Sequence, residues 1–251
     1  PQPRNRLWRY CVLIKGIFFD LFNTLITYDP PREETQINLL KKHGISITKK
    51  AISPAIKAGD EYFYSENSKS LIKNRPSEEQ KVFWYEYQER ILRQAGVEPD
   101  PELVNDVLRE LGQVKYKMAP FNDVLPVLEK LNHNNYKLGI ISNIDRDINP
   151  MCEEMGFSPF LDIILTSHQT GLYKPAPEIF QLACEETGVD LKQALYVGDQ
   201  YQIDVVGAEK AGMTGVLVDR DDLFDDNLQE GYRISSLLGL PDLIAEVITS
   251  G

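Results

Sequence analysis

Lys15-Gly16-Ile17-Phe18-Phe19-Asp20-Leu21-Phe22-Asn23-Thr24-Leu25 is the stretch that decides the fold. Gly16 to Phe19 form a short apolar run next to a turn-like segment, which reads as a strand buried on both faces of a parallel sheet. The run stops at the carboxylate Asp20. In open α/β sheets ligands bind at the carboxyl ends of the strands, and a carboxylate set against an apolar strand needs a cation or hydrogen-bond donors to stay ionised. The plainer reading is that Asp20 opens a turn, with Asn23 and Thr24 supplying the turn chemistry.

Working outward, the 251 residues are 42% hydrophobic, enough for one sizeable core and a smaller inserted or appended domain. A formal net charge of -11 disfavours nucleic-acid backbones and anionic membranes as partners, but not a phosphorylated small molecule held by a local cation. Cys11, Cys152 and Cys184 are odd in number and form no C-x-x-C pair, so neither a disulfide framework nor a zinc site is indicated, and a reducing cytoplasm fits. Residues 1–14 read as an N-terminal extension whose apolar stretch is cut short at Lys15, unlike a signal peptide. No apolar run approaches the ~20 residues that span a bilayer.

After Asp29-Pro30-Pro31, helical spacing continues from Arg32 to about Leu111, over Glu33 to Lys42, Thr48 to Asn67, Glu78 to Arg93 and Pro101 to Leu111. Ser77 and Gln80 read as a capping box, and Phe83, Tyr87 and Ile91 recur on one helical face. The aromatic group Tyr62, Phe63, Tyr64, Phe83, Trp84, Tyr85 and Tyr87 reads as a bundle core, with a substrate pocket as the alternative. From Pro120 helices alternate with apolar strands: a helix over Asp123 to Leu131, then strands at Lys137 to Ile141, Asp162 to Leu165, Ala194 to Val197 and Thr214 to Val218. Pro177 starts a helix that Gly188 ends, and Asp204 starts one that Gly212 ends. This pattern predicts an α/β fold, a Rossmann-like three-layer α/β/α core around a parallel sheet, with an all-α inserted domain. Asp20, Ser142, Asn143 and Asp199 then converge on one sheet edge. Asp221 to Asn227 reads as a solvated acidic loop.

In chain order the pieces are Asp20 with Asn23-Thr24, Ser142-Asn143, Lys174-Pro175, and Gly198-Asp199 with Asp204 five residues later. Together they resemble the haloacid dehalogenase superfamily of hydrolases, over Lys15 to Tyr28 and Pro120 to Val218. The resemblance implies a core domain of 15–28 and 119–251 and a helical cap domain of 29–118. Three carboxylates near one point raise one another's pKa unless positive charge is present. Lys174 supplies one cation and Mg²⁺ would supply the rest, held by Asp20, Asp199 and Asp204 and, as the resemblance implies, the Phe22 carbonyl. Asp20 is then the nucleophile that forms an aspartyl-phosphate. Ser142 and Lys174, with Thr24, Asn143 and backbone N–H groups after Asp20, would hold the substrate phosphoryl group. Structural alternatives are a loop lysine before a helix for Lys174 and a helix-favoured charge for Asp204.

One position departs from the pattern. Phosphatases of the family carry a second aspartate two residues after the nucleophile, and here that residue is Phe22. Loss of general acid–base catalysis costs about 10²–10⁴ in rate. The leading expectation is a Mg²⁺-dependent phosphatase of small phosphorylated metabolites, monomeric or homodimeric, whose proton donor comes from the cap or from water, or whose leaving group departs easily. The alternatives are a 2-haloacid dehalogenase-like hydrolase, a phosphonate-cleaving relative using a cap lysine such as Lys57, Lys69 or Lys73, or a degenerate binding protein. His43, His133 and His168 show no ligand spacing.

Overall fold

A computed structural model describes residues 13–224 and 228–250. Most of the N-terminal extension, Cys11 included, and residues 225–227 of the acidic loop lie outside the described residues. In chain order the main elements are β1 (Gly16–Phe19), β2 (Ile26–Asp29), α1 (Arg32–Lys42), α2 (Lys49–Lys69), α3 (Ser77–Gln94), α4 (Pro101–Leu111), β3 (Lys117–Pro120), α5 (Val124–His133), β4 (Lys137–Ser142), α6 (Asn149–Glu154), β5 (Ile163–Thr166), α7 (Ser167–Thr170), α8 (Pro177–Thr187), β6 (Ala194–Gly198), α9 (Val206–Ala211), β7 (Thr214–Val218), β8 (Tyr232–Ile234) and α10 (Leu240–Ser250). The chain divides into two compact units, Tyr28–Met118 and the remainder.

The larger unit is built on a six-stranded sheet in the order β5-β4-β1-β6-β7-β8, every pairing parallel. β1 lies between β4 and β6, with Phe19 opposite both Ile140 and Val197, so its four residues are buried on both faces. That is why its sequence is a continuous apolar run rather than an alternating one. Phe18 joins a core with Ile141, Tyr196, Ile179, Phe180, Ala208 and Met213. Each large apolar side chain buried in this way contributes about 1.5–3 kcal/mol. Helix α5 lies against β4 and presents Val124, Val127, Leu128 and Leu131 to the interior. β8 extends the sheet beyond β7; at three half-buried residues it carries too little periodicity to be read from sequence.

The helical unit has two apolar clusters. One gathers Ile52, Ala55, Ile56, Phe83, Tyr87 and Ile91, the other Leu40, Leu92, Val104 and Val107. Gly59 allows α2 to approach α3, since a Cβ there would lie 2.7 Å from Ile91 Cγ1. The aromatic group belongs in the main to this packing: Tyr62 stacks on Phe83 and Phe63 on Trp84, with ring centroids 5.4 and 5.9 Å apart. Trp84 keeps an exposed face. Asp60 takes a bidentate pair from Arg32, at 2.9 and 3.0 Å, and the Tyr87 hydroxyl at 2.8 Å. The expected capping box does not form. Pro76 is the N-cap residue, Ser77 is already helical, and Gln80 Nε2 instead donates to Arg75 O at 2.7 Å.

Candidate active site

The carboxyl ends of β1, β4 and β6 carry the functional side chains. Asp20 follows β1 directly, and its N–H donates to Val197 O at 2.9 Å, which holds it in the sheet register. Ser142 is the last residue of β4 and Asp199 the first after β6. Lys174 arrives from the loop between α7 and α8, where a reciprocal amide pair fixes it. Its N–H donates to Asn143 Oδ1 at 2.7 Å, and Asn143 Nδ2 donates to its carbonyl at 2.8 Å. Asn143 thus anchors the lysine backbone.

Lys174 Nζ donates to Asp20 Oδ1 at 2.6 Å, Asp204 Oδ1 at 2.7 Å and the Tyr196 hydroxyl oxygen at 2.8 Å. Tyr196 donates its own hydrogen to Ile141 O at 2.8 Å. Asp204 does not open a regular α-helix as its spacing suggests. It lies in a π-helical turn, Tyr201–Val205, where its Oδ2 accepts the Gln200 N–H at 3.0 Å. Gly198 makes room for it, because a Cβ at Gly198 would stand 2.3 Å from Asp204 Oδ2.

The site is enclosed: relative exposure is 5% for Asp20, 5% for Lys174, 8% for Asp199 and 0% for Asp204. One carboxylate oxygen from each of Asp20, Asp199 and Asp204 lies within 4.8 Å of the others. Burial is the largest influence on Asp20 and pushes its carboxyl up from 3.8 to about 6, with Lys174 opposing and the Asp204 charge adding to the rise. Burial works against the Lys174 ammonium, but Asp20 and Asp204 overcome it and hold the ammonium above its ordinary pKa. Burial also raises the Tyr196 phenol, and the neighbouring carboxylates reinforce the rise. Three carboxylates face one ammonium in this buried space. Such a set of hard oxygen donors is suited to a divalent cation.

Asp20, Lys174, Asp199 and Asp204 therefore come together, with Ser142 and Asn143 beside them on β4 and its following loop. Phe22 is half-buried two residues beyond Asp20. Thr24 stands apart. It is fully buried, its Oγ1 makes no hydrogen bond, and its carbonyl accepts Arg220 Nη2 at 2.8 Å. Tyr196 is the member that sequence reading missed, and the hydroxyl it carries within Ala194-Leu195-Tyr196-Val197-Gly198 was the available signal.

The fold and this strand-end constellation define a hydrolase with a Rossmann-like α/β/α core. The family model for haloacid dehalogenase-like hydrolases matches residues 14–212, and the chain belongs to that family. It is 29% identical over 215 residues to the glyceraldehyde 3-phosphate phosphatase of Methanopyrus kandleri, an alignment covering 83% of this chain and 85% of that protein. Among solved structures, a HAD phosphatase from Thermococcus onnurineus superposes with a TM-score of 0.54 at 26% identity, covering 92% and 98% of the two chains. A 2-haloacid dehalogenase from Pseudomonas syringae pv. tomato shares the fold, with a TM-score of 0.53, 23% identity and coverage of 93% and 99%.

Proposed function

We propose that the protein is a Mg²⁺-dependent phosphatase of small phosphorylated metabolites that works through an aspartyl-phosphate on Asp20. The observation that carries this reading is the buried cluster of Asp20, Asp199 and Asp204 against the ammonium of Lys174, more carboxylates than one ammonium can balance and so suited to a cation. The phosphatase name of the Methanopyrus kandleri relative supports it. In this reading Asp20, Asp199, Asp204 and the Phe22 carbonyl hold the Mg²⁺. Bound there, the ion offsets the carboxylate charge and the charge of the phosphoryl oxygens.

Asp20 attacks phosphorus with its carboxylate oxygen, and water later hydrolyses the resulting acyl phosphate. Lys174, held by Asp20, Asp204 and Tyr196, keeps the nucleophile in place and offsets charge as it moves between oxygens. Ser142 presents a hydroxyl from the end of β4 for a phosphoryl oxygen. The helical unit, Tyr28–Met118, serves as the cap that sets specificity. The test is hydrolysis of p-nitrophenyl phosphate with Mg²⁺ and with EDTA. Turnover that requires Mg²⁺ and disappears in Asp20→Asn supports the proposal, and turnover that survives either change refutes it. Phe22 favours a second reading, halide displacement from a 2-haloacid by Asp20, because halide leaves without a proton. That activity would persist in EDTA.

A further inference from the structure

The chain that follows the nucleophile closes into a turn with three supports. The first is the sheet, where the Asp20 N–H donates to Val197 O at 2.9 Å. The second is internal: Leu21 O accepts the Leu25 and Ile26 N–H groups at 2.9 and 3.0 Å. Asn23 turns the backbone in the left-handed region, at φ 57°, which asparagine tolerates, and its N–H donates to Ile26 O at 2.7 Å. The turn also reaches the nucleophile, because the Leu21 N–H donates to the Asp20 carboxylate and favours its charged form.

The third support comes from beyond β6. Arg220 stands two residues past β7 on a fixed base. There the Asp219 N–H donates to Ile234 O at 2.8 Å, and the Asp219 carboxylate accepts the Leu223 and Phe224 N–H groups, each at 2.9 Å. From this base Arg220 Nη2 donates to Thr24 O at 2.8 Å, while Nη1 and Nη2 grip Asp123 at 2.8 and 3.1 Å. The guanidinium lies over the Phe121 ring, 3.8 Å from its centroid. Asp123 is held in turn by the Ser236 hydroxyl at 2.7 Å and the Leu237 N–H at 2.9 Å. The Phe121 N–H donates to Leu25 O at 3.0 Å, so residues 24–25 and 121–123 are laced together beside the guanidinium. Every one of these residues belongs to the core unit. Asp123 alone balances the charge of Arg220, so the bond to the neutral Thr24 carbonyl serves position. A planar fork with several donors is suited to holding two acceptors at once.

Resting on the phosphatase reading, we propose that Arg220 is a positioning residue of the active site, acting through the Thr24 carbonyl on the turn of residues 21–26. Through the Leu21 N–H that turn orients the Asp20 carboxylate toward the cation and the phosphoryl group. Arg220 itself touches neither. Without the guanidinium the turn keeps its first two supports and loses the third, and Asp20 is held less tightly. Misplacing a reacting group by about 1 Å costs about 10²-fold in rate. Loss of an outer-shell support costs a metal site about 10–100-fold in affinity.

The test compares wild type with Arg220→Met and Ser236→Ala, each at a temperature where circular dichroism shows it folded. Ser236→Ala removes one partner of Asp123 and leaves the Thr24 contact in place, so it reports the effect of a weakened network alone. Mg²⁺ binding is read by calorimetry, and kcat and KM by hydrolysis of p-nitrophenyl phosphate at saturating Mg²⁺. Arg220→Met should bind Mg²⁺ about ten-fold more weakly. Its kcat should fall by about 10–10²-fold, with the change in kcat rather than in KM. Ser236→Ala should match wild type in both measurements. Should Arg220→Met fail to fold, Arg220→Lys keeps the charge without the fork and should show losses in the same direction. A folded Arg220 variant with wild-type Mg²⁺ affinity and kcat overturns the proposal while leaving the phosphatase reading intact. Equal losses in Ser236→Ala also overturn it. Wild type that neither binds Mg²⁺ nor hydrolyses the ester overturns both.

Discussion

Replacing Lys174 by methionine removes the ammonium that pairs with Asp20 and Asp204 while keeping most of the side-chain volume. Its Nζ lies 2.6 Å from Asp20 and 2.7 Å from Asp204, and all three side chains are almost fully enclosed. Breaking a buried ion pair by removing one partner costs about 3–5 kcal/mol, because the other charge is left uncompensated. At about 2–4 °C per kcal/mol for a chain of this size, the melting transition of the core unit should fall by roughly 6–20 °C in EDTA. The cation should then recover part of the loss. Two unit charges about 4 Å apart interact by about 4 kcal/mol at an effective dielectric constant of 20, so removing the competing ammonium should strengthen Mg²⁺ binding. The assay is thermal unfolding of wild type and Lys174→Met in EDTA and across a Mg²⁺ titration. The expected result is a large deficit in EDTA that shrinks with Mg²⁺, with the variant half-saturating at lower Mg²⁺. A deficit that is the same with and without Mg²⁺ refutes the reasoning that the lysine and a cation share one cluster of charge.

Gly198→Ala would drive a Cβ to 2.3 Å from Asp204 Oδ2, an atom that cannot swing aside without losing the Gln200 N–H. Overpacking of this kind costs about 1–3 kcal/mol, and the thermal shift produced by Mg²⁺ should shrink with it. Tyr196→Phe leaves both Lys174 Nζ and Ile141 O short of a buried partner, so denaturant unfolding should show a loss of about 1–3 kcal/mol. Burial raises the folded-state pKa of Asp20 from 3.8 to about 6, so protonation favours the folded protein. This contribution is complete below 3.8 and is lost as pH rises through about 6. In EDTA, Asp20→Asn should therefore melt above wild type at pH 7, and the gap should close toward pH 4; a gap that widens on acidification contradicts the assignment.

Much of the core could be read from local pattern, because chemistry sits where apolar strands end. Asp20, Ser142 and Asp199 each fall at such an end, and Pro177 and Gly188 bound their helix as their backbone preferences require. Tyr196 was harder to read. In a strand buried on both faces alternation carries no information, so a phenol that bonds the ammonium looks like core. The partner of the Thr24 carbonyl was also hidden, since Arg220 lies 196 residues away. The same arginine pairs with Asp123 at 2.8 Å, and Asp123 accepts Ser236 Oγ at 2.7 Å. No local pattern marks a network of that separation. Capping at Ser77 failed for another reason: Pro76 took the N-cap position and moved the helix start by one residue.

The most direct measurement is to mix the protein with acetyl phosphate and Mg²⁺, quench in acid, and map the phosphoryl group by mass spectrometry. The account expects a phosphorylated peptide with the modification on Asp20, absent in EDTA and in Asp20→Asn. Turnover of acetyl phosphate with no phosphoryl group ever trapped on Asp20, or labelling that survives EDTA, would contradict it.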